Sequence, residues 1–328
     1  MRRRQFLSLA ASAGAASAFG PRAVHALPAV DAPRIAILSI PVPSSTFDSV
    51  AEGLANYGYV EGRNIVTQRF TAPTTPEVPA YAARAVASQP AAILCLGTPP
   101  TRAAMRATAT IPIVMLAVND PLGNGFIASY AHPGGNGNVT GNTGTASDVI
   151  SKQLGLLKEL VPRLRRLAVA YLGADPSAAR VIGELGPAAR ALNLEPVLVD
   201  FTEAQDFASQ LVRVAAAGVG GFITISSQYF NTRRSEILDF EIRNRIPWMD
   251  AIPNAVPLPG VIAYGANLNT LYRQSGYYVD AILKGTRPAD LPVQQPTQFD
   301  LALNLSTARA MGLSVPPSIL AQATIVVK

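Results

Sequence analysis

The sequence predicts an α/β protein built as two doubly wound, parallel-sheet lobes. Three observations lead there. At 328 residues the chain is longer than one hydrophobic core supports, since single cores stop growing near roughly 250–300 residues. Short apolar, β-branched runs alternate with stretches of helical spacing, the pattern of strands buried on both faces by crossover helices. The alternation also starts afresh after a Gly/Asn-rich join at 134–144, so there are two such series.

The first series opens with the apolar run RIAILSI at 34–40, a strand of the fully buried type. Helical spacing follows at 48–57, a strand at 65–70, a helix at 79–88, a strand at 92–96, a helix at 101–107 and a strand at 111–118. The second series begins with a helix at 149–160, ended by Pro162. Strands are expected at 167–172, 196–199, 221–226, 246–249 and 261–264. Helices are expected at 178–192, 204–217, 233–244 and 271–283. A strand at 299–305 and a helix at 306–312 close the chain.

Apolar residues are 49% and charged residues 15%, a globular composition. The net charge of +6 misleads. Arg2, Arg3, Arg4 and Arg22 lie in the first 26 residues with no acid among them, and without them the basic residues nearly balance the 21 acidic ones. No basic block remains to follow a phosphate backbone, so nucleic acid is not an expected partner. Cys95 is the single cysteine and sits in an apolar run. It is expected to be a buried small hydrophobe, and an internal disulfide is impossible.

Residues 1–26 carry an address. A basic start precedes a short apolar stretch of small residues, and Val24-His25-Ala26 offers a small-x-small cleavage site. The apolar stretch, 6–19, is too short for a stable membrane anchor. Arg3-Arg4-Gln5-Phe6-Leu7 is similar to a twin-arginine export signal, with the general secretory route as the alternative. No cysteine follows the apolar stretch, so a lipid anchor at that site is not expected. The expected location is the periplasm.

In open parallel sheets a ligand sits beyond the carboxyl ends of the strands. That rule selects the loops at 41–47, 97–101, 119–124, 173–177, 226–230 and 250–254, which are rich in Ser, Thr, Asn and Asp. Thr98 is a candidate to dock a ligand carboxylate at a helix start, with an ordinary N-cap as the other reading. Ser44, Ser45 and Thr46 are candidates on the same ground. Asp120 is a candidate partner for a ligand amine, or else part of an Asp-Pro turn. Asp250 is a second acidic candidate. Ser177 and Gln228 are polar candidates of the second lobe. Tyr229 and Tyr264 are candidates for stacking on an aromatic or apolar ligand, against the more general role of aromatics in cores.

Catalytic signatures are lacking. There is no Gly-x-Ser-x-Gly and no P-loop, and Thr140 stands where a dinucleotide fingerprint needs its third glycine. His132 is the one histidine beyond the address segment, so a histidine-based metal site or a Ser-His-Asp triad is not expected. No cofactor and no enzyme activity are expected.

A series of strings, in order along the chain, resembles the substrate-binding family of ABC transporters related to tryptophan- and tyrosine-binding proteins. They are YGYVEGRNI at 57–65, IPIV at 111–114, DPLG at 120–123 and HPGGNGNVTG at 132–141. LLKELVP at 156–162, ILKG at 282–285 and PADLPV at 288–293 follow, then AMGL at 310–313 and PPS at 316–318. The resemblance implies the type I periplasmic-binding-protein fold, with two lobes joined by a three-stranded hinge and closing on a ligand between them. It implies lobes of 32–143 plus 267–290 and 144–266 plus 291–328. The implied partners are a small-molecule ligand, an amino acid or similar carboxylate, and a membrane permease with its ATPase. A monomer is expected, and an extracytoplasmic sensor is the alternative role. Two strings depart from the family pattern. GADP at 173–176 stands where Asn-Pro is common, and SSQ at 226–228 stands where many relatives carry an Asp, which leaves the amino-acid preference open.

Overall fold

The computed structural model describes residues 32–134, 137–145, 149–175, 177–255 and 260–328. The export segment read at 1–26 lies outside the described residues, as do the side chains of Ser177 and Gln228.

The first half runs β1 (Arg34–Ser39), α1 (Ser44–Ala55), β2 (Val66–Thr71), α2 (Val78–Ala87), β3 (Ala92–Leu96), α3 (Thr98–Ala107), β4 (Ile113–Val118) and β5 (Val139–Thr143). Its five strands form one sheet in the order β2-β1-β3-β4-β5, every neighbouring pair parallel. The second half runs α4 (Val149–Leu160), β6 (Arg166–Leu172), α5 (Ser177–Ala191), β7 (Glu195–Phe201), α6 (Phe207–Ala216), β8 (Phe222–Thr224), α7 (Gln228–Asn231), α8 (Arg234–Asn244), β9 (Trp248–Asp250) and β10 (Ile262–Ala266). The chain continues through α9 (Leu268–Arg273), α10 (Ser275–Leu283), β11 (Phe299–Asn304), α11 (Leu305–Ala310), α12 (Pro317–Gln322) and β12 (Ile325–Val327). The second sheet has the order β12-β11-β10-β9-β8-β6-β7 and is parallel except at β10–β11. The two doubly wound lobes of the sequence reading are present, with that one antiparallel pair added.

Alternation along each strand loads both faces of each sheet. In β3, Ile93 and Cys95 pack with Ala36, Leu38, Ile113 and Met115 beneath α2 and α3. Leu94 and Leu96 point the other way, to Ile35, Ile37 and Leu116 beneath α1 and α10. In the second sheet Leu167, Val169 and Met249 serve one face, while Ala168, Phe222 and Trp248 serve the other. Each fully buried large side chain contributes about 1.5–3 kcal/mol, which explains why these central strands are runs of apolar residues. Cys95 is fully buried, as expected.

Several elements differ from the sequence reading. Residues 139–143 fall in the stretch read as a join, yet they form β5, buried throughout. Polar residues build this strand because each finds a partner. Asn142 Oδ1 accepts the Ala117 N–H at 2.7 Å, and Asn142 Nδ2 donates to the Leu271 carbonyl and to Gln274 Oε1, both at 2.8 Å. Thr140 donates to the Leu291 carbonyl at 2.7 Å. Gly141, at φ +133°, lies where a Cβ would come within 1.9 Å of the Met115 carbonyl oxygen. The helix expected at 271–283 is two helices that meet at Gln274. The C-terminal α12 and β12 escaped the reading, and β12 adds to the edge of the second sheet.

The chain passes between the sheets three times: after β5, after β10 and before β11. These passages are tied to one another. Gln294 bridges to Asn142, with the Thr143 N–H donating to the Gln294 carbonyl at 3.0 Å. Asn267 donates its N–H to the Gln298 carbonyl at 3.0 Å and its side-chain amide to Asp300 at 2.7 Å. Helices α9 and α10 return to pack on α1, and Leu291 and Val293 enter the first lobe's cores.

Candidate functional site

The carboxyl ends of β1 and β3, where the winding of the first sheet reverses, face those of β6 and β8, the matching point of the second. Between them lies a cavity of about 440 Å³ lined by residues of both lobes.

The first-lobe wall is built around α3. Gly97, at φ +91°, turns the chain from β3 into this helix, a conformation that favours glycine. Thr98 follows, and its hydroxyl oxygen accepts the Asn119 N–H at 3.3 Å, leaving the hydroxyl proton to be donated elsewhere. Pro99 and Pro100 carry no N–H, so this helix start offers fewer backbone donors than most. Arg102 and Arg106, four and eight residues beyond Thr98, continue its face along the cavity. The Arg102 guanidinium lies 5.1 Å from the Phe126 ring centroid and donates to Asn124 Oδ1.

The second-lobe wall comes from loops after β6, β7, β8 and β9. Ser227 is buried, and its hydroxyl has no hydrogen-bond partner among the described residues. A buried donor without a partner costs about 1–3 kcal/mol, which a bound ligand group would offset. Asp175 and Glu203 line the same side, so acids of the second lobe face arginines of the first. Apolar side chains complete the space, among them Val42, Leu96, Leu172, Ile252 and Tyr272. Burial pushes the Tyr272 hydroxyl up to about 12, so it stays neutral.

A second cavity, about 380 Å³, adjoins the first. Asn119 and Ser226 line both. The Asn119 side-chain amide donates to the Ser226 carbonyl at 3.0 Å, which makes a bridge from lobe to lobe between the two spaces. Asp120 is in the second cavity, paired with Arg180 of α5 at 2.7 Å.

The structure brings two of the sequence-derived candidates, Thr98 and Tyr229, to the first cavity and Asp120 to the second. Tyr229 is already engaged. Its hydroxyl accepts from Gln210 at 3.0 Å and donates to the Thr202 carbonyl at 3.3 Å, and its ring packs against Phe201, Phe207 and Phe230. Ser44 and Ser45 are exposed on the first turn of α1, and Thr46 is buried in that helix. Asp250 is buried against Arg234 and accepts the Ile252 N–H at 3.1 Å. Burial pushes the Asp250 carboxyl up, against the pull of Arg234. Tyr264 stacks on Phe299 at 5.9 Å and packs on the second lobe's core. Arg102, Asn119, Ser227, Tyr272 and Arg180 were not singled out from sequence. The four-residue spacing of Thr98, Arg102 and Arg106 was the available signal for the arginines.

Comparison with known proteins decides the family. Residues 34–327 match the family model described as ABC transporter substrate binding protein. The chain belongs to that family. This substrate-binding chain is 27% identical over 272 residues to a tyrosine-binding protein of Clostridioides difficile, covering 80% of this chain and 75% of the relative. Among solved structures, a conserved domain protein from Vibrio cholerae superposes with a TM-score of 0.82 at 25% identity, covering 90% of this chain and 99% of that one. A Streptococcus pneumonia ABC domain in complex with L-Trp also gives 0.82, at 20% identity, covering 90% of this chain and all of that one. The family consists of substrate-binding proteins, not enzymes. Among the described residues no helix of this substrate-binding chain is long and apolar enough to cross a membrane. No cluster of three or more His, Cys, Asp or Glu suited to a metal occurs among them either.

Proposed function

We propose that this chain is the periplasmic receptor of an ABC importer and captures an amino acid with an apolar, aromatic-sized side chain between its lobes. The observation that carries this reading is the two-lobed lining of the first cavity, with Thr98 and Arg102 on one side and Asp175, Glu203 and Ser227 on the other. A ligand with a carboxylate at one end and an ammonium at the other complements such opposed charges. The carboxylate goes to Thr98 and Arg102, and the side chain to the apolar wall around Leu96, Ile252 and Tyr272. The names of the relatives, one binding tyrosine and one holding L-Trp, support the aromatic choice.

The mechanism is closure about the three passages between the sheets. A ligand that touches both walls only when they are together shifts the population to the closed form, which the permease and its ATPase then engage. The protein works as a monomer after export directed by the segment at 1–26.

Calorimetric titration tests the reading, using protein unfolded and refolded to remove carried cargo. L-tryptophan or L-tyrosine should bind saturably. Thr98→Val and Arg102→Ala should each weaken binding about tenfold, the loss of one charge-assisted or hydroxyl contact. No saturable binding of any amino acid would sink the reading.

A further inference from the structure

The Asp120–Arg180 pair joins the lobes at a place where the proposed ligand does not sit. Asp120 follows β4 in the first lobe and Arg180 stands on α5 in the second. They lie in the second cavity, beyond the Asn119–Ser226 bridge from the first.

Asp120 is held in place before any partner is considered. Its backbone takes φ +43°, a left-handed conformation. Its Oδ1 accepts the Gly123 N–H at 3.0 Å, and the Asn124 amide donates to the Asn119 and Asp120 carbonyls at 3.0 and 2.9 Å. Gly123 leaves room for the carboxylate, since a Cβ there would lie 2.1 Å from Oδ2. The carboxylate is thus buried and aimed, with Oδ2 2.7 Å from Arg180 Nε. Arg180 keeps 39% of its side chain exposed and also pairs with Glu184.

We infer that Asp120 and Arg180 form a ligand-independent latch, which draws the free lobes together and sets the open–closed balance on which ligand binding acts. The inference rests on the reading that the first cavity is the binding cleft. A receptor competent only when closed binds with an affinity reduced by the fraction open. A latch therefore tightens binding without touching the ligand. Because Arg180 is partly solvated the gain is modest, about fivefold in affinity.

The test measures lobe separation directly, with spin labels on Glu77→Cys and Ala204→Cys. Both sites are exposed and flank the first cavity from opposite lobes, and the native Cys95 is buried away from the label. In ligand-free protein, Arg180→Met should move the distance distribution to longer values, and Arg180→Lys should restore part of the short population. Apparent affinity for tryptophan or tyrosine should fall about fivefold in Arg180→Met. Identical ligand-free distributions in the folded parent and in both variants would overturn the latch. If neither amino acid binds or shortens the distances in any of the three proteins, the ligand reading fails, while the ligand-free comparison still decides the latch.

Discussion

Glu241 Oε1 accepts the backbone N–H of Trp248 at 2.9 Å inside the second lobe, and the Val261 N–H at 3.1 Å. The carboxyl is fully buried, and Oε2 has no partner among the described residues. Gly260 packs so closely that a Cβ there would lie 1.8 Å from Oε2. Burial, which outweighs the two N–H donors, pushes this carboxyl up to about 8. The folded state therefore holds a proton that the unfolded chain releases near its ordinary value of 4.5. Between those values folding binds a proton, so stability falls as pH rises from about 4.5 to about 8, on the order of 5 kcal/mol in all. Asp250, also raised by burial, adds in the same direction. Thermal melts at pH 5, 7 and 9 should show a declining midpoint, and Glu241→Gln should flatten most of the decline. A midpoint that rises over this range would refute the account.

The Arg234–Asp250 pair is buried on both sides. Removing one charge strands the other. Arg234→Met should cost about 3–5 kcal/mol in chemical denaturation, and adding Asp250→Asn should recover much of it. A loss in the double variant equal to the sum of the two single losses would show that the pair is not coupled.

Helices α1 and α10 meet at two glycines. A Cβ on Gly276 would lie 1.9 Å from the Gly53 carbonyl oxygen, and one on Gly53 would lie 2.2 Å from the Arg273 carbonyl oxygen. Gly276→Ala should therefore destabilise the fold by about 2–3 kcal/mol, although alanine favours helices. Denaturant midpoints of the variant and parent decide this.

The Asn119–Ser226 bridge stands between the two cavities, and on the proposed reading it sets the length of ligand that the first one takes. Asn119→Ala should open that space toward the second cavity, so the affinity for an aromatic dipeptide should rise relative to the free amino acid. Paired titrations of the two ligands measure the ratio, and an unchanged ratio would rule out the bridge as a partition.

Cys95 is fully buried, and burial pushes its thiol well above the ordinary range. A thiol reagent should label it only as fast as the protein unfolds. Labelling at native conditions at the rate of a free thiol would contradict the burial.

Strands covered on both faces were readable because burial demands unbroken apolar runs, as in β1, β3 and β4. β5 was unreadable for the converse reason: Thr140 and Asn142 satisfy their polar groups with Leu291, Leu271 and Gln274, partners more than a hundred residues away. The break at Gln274 falls at a residue whose side chain Asn142 also holds from a distance in sequence. Thr98 was legible because strand ends and helix starts are marked locally. Arg102 and Arg180 carried no local mark: Arg102 is held by Asn124 and Phe126 of its own lobe, and Arg180 finds Asp120 on the opposite one. Asp250 drew notice as a loop carboxylate, but Arg234 of the preceding helix claims it.

The return of α9, α10 and Val293 to the first lobe has a consequence for biosynthesis. Helix α1 emerges early from the ribosome, yet the surfaces that cover it are made only after β6 to β10 of the second lobe. The amino-terminal lobe, begun first, is thus completed only after β6 to β10 of the other lobe have been made, and until then the α1 side of its sheet is open to chaperones. Truncated chains ending before α9 should leave this face bare and aggregate, however well their own strands pair.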